Sequence, residues 1–200
     1  MNIAFFDFDG TITNKDTFRG FIRFYKGEMR YLLGIAILSP IFLAYAFKLI
    51  SREETKVKLL TYFFRGESED KFIAIANQYS AQNLDSVIRP LAIKEIHSYQ
   101  EKGDKVVIVS ASLEYWLKPW CAKNALDIIG TKMEIKDGVL TGKLLANNCY
   151  GQEKVNRIKQ NYQVGNYDKI FAYGDSRGDL EMLEFAHTSY YKPFRTEQSN

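Results

Sequence analysis

The sequence predicts an α/β fold, a Rossmann-like three-layer core around a parallel sheet with an inserted all-helical cap. Three observations carry that prediction. Apolar runs at residues 3–6, 106–109 and 169–173 each end in polar residues, the pattern of buried parallel strands whose carboxyl ends face a ligand. Helical patterns lie between and after them, an alternation that places helices on both faces of one sheet. Residues 14–85, between the first run and the second, carry helical sequence only and read as the cap, leaving 1–13 and 86–200 for the core.

The first strand runs directly into Asp7-Phe8-Asp9-Gly10-Thr11. Side chains alternate along a strand, so Asp7 and Asp9 leave the backbone on one side and Phe8 on the other. Two carboxylates so close repel unless a cation or a proton lies between them, which points to a divalent metal site or an acid/base couple. The cap follows. Its most hydrophobic stretch runs from Tyr31 to Phe47 (YLLGIAILSPIFLAYAF), bracketed by Arg30 and Lys48. Seventeen residues approach the lower limit for spanning a bilayer. If the strands on either side of the cap share one sheet, the number of crossings between them must be even, and this length cannot cross twice. Three placements remain: a buried cap helix broken near Ser39-Pro40, which leads, an oligomer contact, or a shallow hairpin docked peripherally on a membrane.

The core resumes with a helix over residues 87–101 closing at Gly103, the strand 106–109, and Ser110-Ala111-Ser112. Ser112 is placed as the cap of the next helix, residues 113–123. Asp137-Gly138 predicts a hairpin between residues 133–135 and 139–141. A helix over residues 152–162 carries Lys154 in its first turn. The strand 169–173 leads to Gly174-Asp175-Ser176-Arg177-Gly178-Asp179 and a final helix over 179–185, and the tail from Thr196 to Asn200 reads as frayed.

Composition narrows the function classes. With 200 residues, 46% hydrophobic and 26% charged, the chain has ample material for a core. A net charge of +3 and a pI of about 8.7 suit an anionic substrate or membrane surface, without the clustered basic stripe of a nucleic-acid binder. Cys121 and Cys149 are too far apart for a metal knuckle, and with only His97 and His187 a histidine-rich metal site is excluded. No basic leader precedes the first strand, so a cytoplasmic protein is expected, with any membrane contact peripheral to the inner face.

Each polar cluster has a plain explanation alone: a turn, a helix cap, a surface lysine. In this order, and each at a strand end or helix start, they resemble the haloacid dehalogenase-like superfamily, specifically its phosphoserine phosphatase-like branch with a helical cap. The motifs are DFDGT, Ser110, Lys154 and GDSRGD. The resemblance implies Asp7 as nucleophile and Asp9 as general acid/base. It implies a phosphate site of Gly10, Thr11, Ser110, Ala111 and Lys154, and Mg²⁺ held by Asp7, Asp9 (through a backbone carbonyl near it) and Asp175, with Asp179 in support. Asp16 falls where that branch carries a Glu that reads the amino group of an amino-acid substrate. The implied activity is Mg²⁺-dependent hydrolysis of a small phosphorylated metabolite, possible for phosphoserine, through an aspartyl-phosphate. The hydrophobic stretch and DGTITNKDTF also look similar to phosphatidylglycerophosphate phosphatases of the branch, which would make the substrate a membrane lipid. A phospho-accepting signalling domain shares the residue types, but it lacks the second carboxylate two residues on and has no cap.

Overall fold

The protein is described by a computed structural model covering residues 1–195. The expectation for residues 196–200 lies outside the described residues. In chain order the elements are β1 (Ile3–Phe6), α1 (Thr17–Lys26), α2 (Glu28–Ile37), α3 (Ser39–Ala46), α4 (Arg52–Phe64), α5 (Glu69–Tyr79), α6 (Pro90–Glu101), β2 (Lys105–Leu113), α7 (Glu114–Lys123), β3 (Asp127–Thr131), β4 (Met133–Lys136), β5 (Val139–Leu144), α8 (Gln152–Asn161), β6 (Ile170–Gly174), α9 (Leu180–Phe185) and β7 (Thr188–Tyr191).

Five strands form one parallel sheet in the order β3-β2-β1-β6-β7. All four residues of β1 are fully buried, so its two faces feed two cores. Ala4 and Phe6 point into a cluster shared with α6, α7 and the cap, while Ile3 and Phe5 join α8 and α9 on the opposite side. These are the three expected layers. Chain order reverses between β1 and β6, and the crevice at the carboxyl ends of such a pair is where this architecture places its ligands.

The three expected strands and the hairpin are present, and two strands were not foreseen. β3 is a short DIIGT segment directly after α7, and β7 is a half-exposed edge strand, so neither carries a long apolar run. Helix α6 begins at Pro90 rather than residue 87, because a residue before proline is pushed out of the helical region and Arg89 is extended, with ψ 127°. The hairpin turns through Asp137 and Gly138, both at positive φ, as a type I′ turn requires.

Aromatic packing builds the cap. Phe21 of α1 lies 5.8 Å from Phe64, 5.3 Å from Phe72 and 5.5 Å from Tyr79, and stacks at 4.4 Å on Trp116 of α7, which joins the cap to the core. Replacing such a buried ring by alanine costs about 3–5 kcal/mol. The chain passes into and out of the cap through paired backbone: Asn14 N–H donates to Val87 O at 2.9 Å and Arg89 N–H to Ile12 O at 2.8 Å. The β4–β5 hairpin, sequence-adjacent to the core, bonds to the cap. Gly66 N–H donates to Leu140 O at 2.8 Å and Leu140 N–H to Glu67 O at 2.9 Å.

The stretch from Tyr31 to Phe47 departs from the leading expectation of a buried helix. It folds as α2 and α3, bent by 53°, with the break at Leu38 just before Ser39-Pro40. Only Tyr31, Gly34 and Leu38 are buried, whereas Leu32, Leu33, Ile37, Leu43 and Phe47 are exposed, Phe47 at 74%. A helix turns one stripe toward its support, and here no second layer covers the other. No single helix among the described residues is long and apolar enough to cross a membrane.

Candidate active site

The carboxyl ends of β1 and β6 bring the two acidic motifs together. Asp7 N–H donates to Tyr173 O at 2.9 Å, continuing the sheet into the motif. The chain then turns sharply over residues 8–12, with Gly10 at φ +86°. A Cβ there would fall 2.5 Å from Asp175 Oδ2, so only glycine lets the turn approach the second motif. Thr11 Oγ1 donates to Asp7 Oδ2 at 3.2 Å and lies 3.4 Å from Asp175 Oδ1, tying both carboxylates to one hydroxyl.

Lys154 enters from the first turn of α8 and is 1% exposed. Its ammonium donates to Asp7 Oδ1 at 2.7 Å, Val109 O at 2.7 Å and Asp179 Oδ1 at 2.6 Å. An ammonium has three protons, and all three are committed. Lys154 was expected on the phosphate. Here it braces the carboxylates from beneath, and reaching a phosphoryl oxygen would require releasing one acceptor. Asp179 also accepts from Asp175 N–H at 3.1 Å, Ser176 N–H at 2.9 Å and Ser176 Oγ at 2.8 Å. Arg195 pairs with Asp175 Oδ2.

Asp7, Asp175 and Asp179 each present an oxygen within 4.8 Å of the others. Three hard carboxylate donors, two of them buried, fit Mg²⁺, and without a cation their mutual repulsion is offset mainly by Lys154. Asp9 was expected to share in the metal site through a backbone carbonyl near it, and its carboxylate is engaged elsewhere. Oδ1 accepts from Thr17 N–H at 2.7 Å and Oδ2 from Ser112 Oγ. Ser112 therefore serves Asp9 rather than capping α7, because β2 runs on through Leu113. Ser110 is buried, and its Oγ accepts from Ser112 N–H at 3.0 Å, leaving its own proton to give. Ala111 turns its carbonyl to Thr131 Oγ1, at 2.9 Å, and to Lys56 Nζ. Asp16 lines the same cavity but caps α1, accepting from Arg19 N–H at 3.0 Å.

The two motif carboxyls differ electrostatically. Burial raises Asp7 to about 7, against the pull of the Lys154 ammonium. Burial also raises Asp9 to about 6, with Asp16 adding to the rise and Ser112 and Thr17 opposing it. Asp175 is raised by burial and by Asp179, while Asp179, despite its burial, is held low by Lys154 and Ser176. A cation among the three acids would draw Asp7 and Asp175 down. Both carboxyls are thus raised toward neutrality, one beside the Lys154 ammonium and the other among hydroxyl and amide donors.

Above these groups lies a cavity of about 790 Å³ between core and cap. Its cap wall is apolar at Phe18, Ile22, Tyr31, Ile35, Phe42 and Leu59, and basic at Arg19, Arg52 and Lys56. Lys56 and Asn148 belong to no motif, and only the folded chain brings them to the site.

A family model described as haloacid dehalogenase-like hydrolase matches residues 4–184. Protein CicA of Caulobacter vibrioides is 34% identical over 192 residues, covering 95% of this chain and 85% of that protein. A phosphoserine phosphatase of Idiomarina loihiensis is 28% identical over 151 residues, covering 68% of this chain and 69% of the other. Among solved structures, a Bordetella pertussis protein of unknown function superimposes with a TM-score of 0.79 at 18% identity, covering 94% of this chain and 88% of that one.

Proposed function

The chain belongs to the haloacid dehalogenase-like hydrolases, and we propose that it is a phosphatase of that family, a Mg²⁺-dependent phosphomonoester hydrolase working through an aspartyl-phosphate on Asp7. The observation that carries this reading is the division of labour between the two acids. Asp7 is clamped by Thr11 and Lys154 among the metal-fitting carboxylates, while Asp9 stands apart on Thr17 and Ser112.

Asp7 attacks phosphorus in line, forming the Asp7 O–P bond as the ester P–O bond breaks, and Asp9 gives its proton to the departing oxygen. Asp9, now ionised, takes a proton from the water that attacks the acyl phosphate, which releases inorganic phosphate and restores Asp7 as carboxylate and Asp9 as the protonated acid. The Ser110 hydroxyl donates to a phosphoryl oxygen. Lys154 aims Asp7 and opposes the rise that burial imposes on it. Mg²⁺ held by Asp7 and Asp175, with Asp179 behind them, would supply the charge neutralisation that lets an anionic nucleophile approach an anionic ester. Asp9 contributes from outside that carboxylate set.

Release of phosphate from p-nitrophenyl phosphate, with Mg²⁺ and with EDTA, tests the reading. Turnover should need Mg²⁺ and vanish in Asp7→Asn. Undiminished turnover in that variant would overturn the assignment.

The first reading is a small phosphorylated metabolite as substrate, in a cytoplasm that would keep the two buried free cysteines reduced. Relatives named for phosphoserine and histidinol phosphate favour a small amine-bearing ester. The outer face of α2–α3 favours a second reading, a lipid phosphate taken from an anionic membrane. That face is uncharged between Arg30 and Lys48, and its inner side, through Tyr31, Ile35 and Phe42, walls the cavity holding Asp7. Flotation with phosphatidylglycerol vesicles separates the two. Binding lost in Leu33→Glu/Ile37→Glu, with p-nitrophenyl phosphate turnover intact, supports the lipid; no binding by the wild type removes it.

A further inference from the structure

Lys154 already serves three acceptors and Mg²⁺ would face the phosphate from the carboxylate side, so any further cation toward the phosphoryl group comes from the rest of the cavity wall. Five acids, Asp7, Asp9, Asp16, Asp175 and Asp179, line the cavity, and a phosphate ester adds further negative charge. The other basic residues on the wall, Lys15, Arg19, Arg52 and Lys56, all lie in the cap range. Arg19 is engaged with Asp16 at 3.5 Å, and Arg52 lies over the ring of Tyr150 at 4.5 Å. Lys56 alone is anchored beside the phosphate loop. Its ammonium donates to Ala111 O, next to Ser110, and to Asn148 Oδ1 at 2.7 Å.

That anchor is built from both sides. Asn148 Oδ1 also accepts from Thr131 Oγ1 at 3.0 Å, and Asn148 N–H donates to Glu53 of the same helix turn at 2.7 Å. Two acceptors leave one of the three ammonium protons free on a residue that faces the cavity. A lysine held this way loses little freedom on binding an anion, unlike an exposed one.

We propose that Lys56 is the cap-borne cation that, with Ser110, receives a non-bridging oxygen of the substrate's phosphoryl group, so that the phosphate site is complete only with the cap seated on the core. Burial draws the Lys56 ammonium down to about 7; Arg52 adds to the fall, and Cys149, Asp9 and Glu53 oppose it. An arriving dianion would restore the full charge where it is needed.

The proposal rests on the phosphatase reading but is tested without turnover. Inorganic phosphate is titrated calorimetrically, in the presence of Mg²⁺, into wild type, Lys56→Gln, Lys56→Met and Lys56→Arg, with Asp7→Asn run alongside for catalysis. A charged hydrogen bond of this kind is worth about tenfold to hundredfold in affinity. Phosphate binding should weaken by that factor in the Gln and Met variants and recover at least in part in the Arg variant. The KM for p-nitrophenyl phosphate should rise in parallel, with kcat changing less. Phosphate affinity and KM within twofold of wild type in Lys56→Gln, or in Lys56→Met should the Gln variant misfold, would overturn the proposal, and Lys56 would then only brace Ala111 and Asn148. Loss of the Asp7 dependence alone would strike the phosphatase reading and leave the phosphate titration to stand or fall by itself.

Discussion

Replacing Lys154 with methionine removes a charge that three buried acceptors depend on. Lys154 and Asp179 have side chains 1% exposed and Asp7 9%, so water cannot take over the broken contacts without opening the structure. Breaking a buried ion pair by deleting one partner costs about 3–5 kcal/mol, most of it the penalty of the stranded charge. In a domain of this size each kcal/mol moves the melting temperature by about 2–4 °C, so Lys154→Met should melt about 6–20 °C below wild type. The effect has a sign in pH. Without the ammonium, Asp7, already above its unfolded value, rises further, and Asp179 loses the contact that holds it low against burial. The two acids then favour folding while protonated, and that contribution is lost as pH climbs through the raised values. The deficit should therefore be larger at pH 8 than at pH 5. Differential scanning fluorimetry of metal-free protein at both pH values reads it directly. A melting temperature within 2 °C of wild type, or a deficit that shrinks toward pH 8, would refute the idea that Lys154 is the counter-charge of this cluster.

Asp9→Asn should lower kcat/KM for an alkyl phosphate by about 10²–10⁴, the usual yield of general acid catalysis, and far less for p-nitrophenyl phosphate, whose leaving group needs no proton; equal losses on both would remove Asp9 as the acid. Because Asp9 is raised to about 6, kcat/KM for the alkyl ester should fall as pH rises past that value. Ser112→Ala removes a donor that favours ionised Asp9, so this alkaline limb should move to higher pH in a pH–rate profile; an unmoved limb would mean the contact does not act on the acid. Gly10→Ala forces a side chain into positive φ and against Asp175 at 2.5 Å. It should raise the Mg²⁺ concentration for half-maximal activity about tenfold or more, and an unchanged Mg²⁺ titration would show that Asp175 does not hold the ion.

Much of the site was legible because its chemistry is local to strand ends. Asp7 follows an unbroken apolar run, Asp175 follows another, and Lys154 opens a helix, so position in the pattern located all three. What escaped were contacts between segments distant in sequence. Ser112 looked like a helix cap because nothing near it in sequence shows Asp9 waiting 103 residues away. Lys56 sits in an ordinary amphipathic helix, and only the packing of α4 on the core brings it to Ala111. Hydropathy marked residues 31–47 as apolar but could not say which side would be covered, since that depends on what lies opposite. Strand β3, with only Ile128-Ile129 apolar, and β7, too exposed, did not stand out from loops.

The hairpin's grip on the cap has a mechanical consequence. With the chain crossing at residues 12–14 and 87–89 stitched together and the β5 strand sewn to residues 66–67, the lid is fastened along two edges instead of one. To swing like a page on a spine it would have to break the bonds of residues 66–67 to β5 or carry β5 along, and β5 leads through Asn148 into the helix bearing Lys154, beneath the nucleophile.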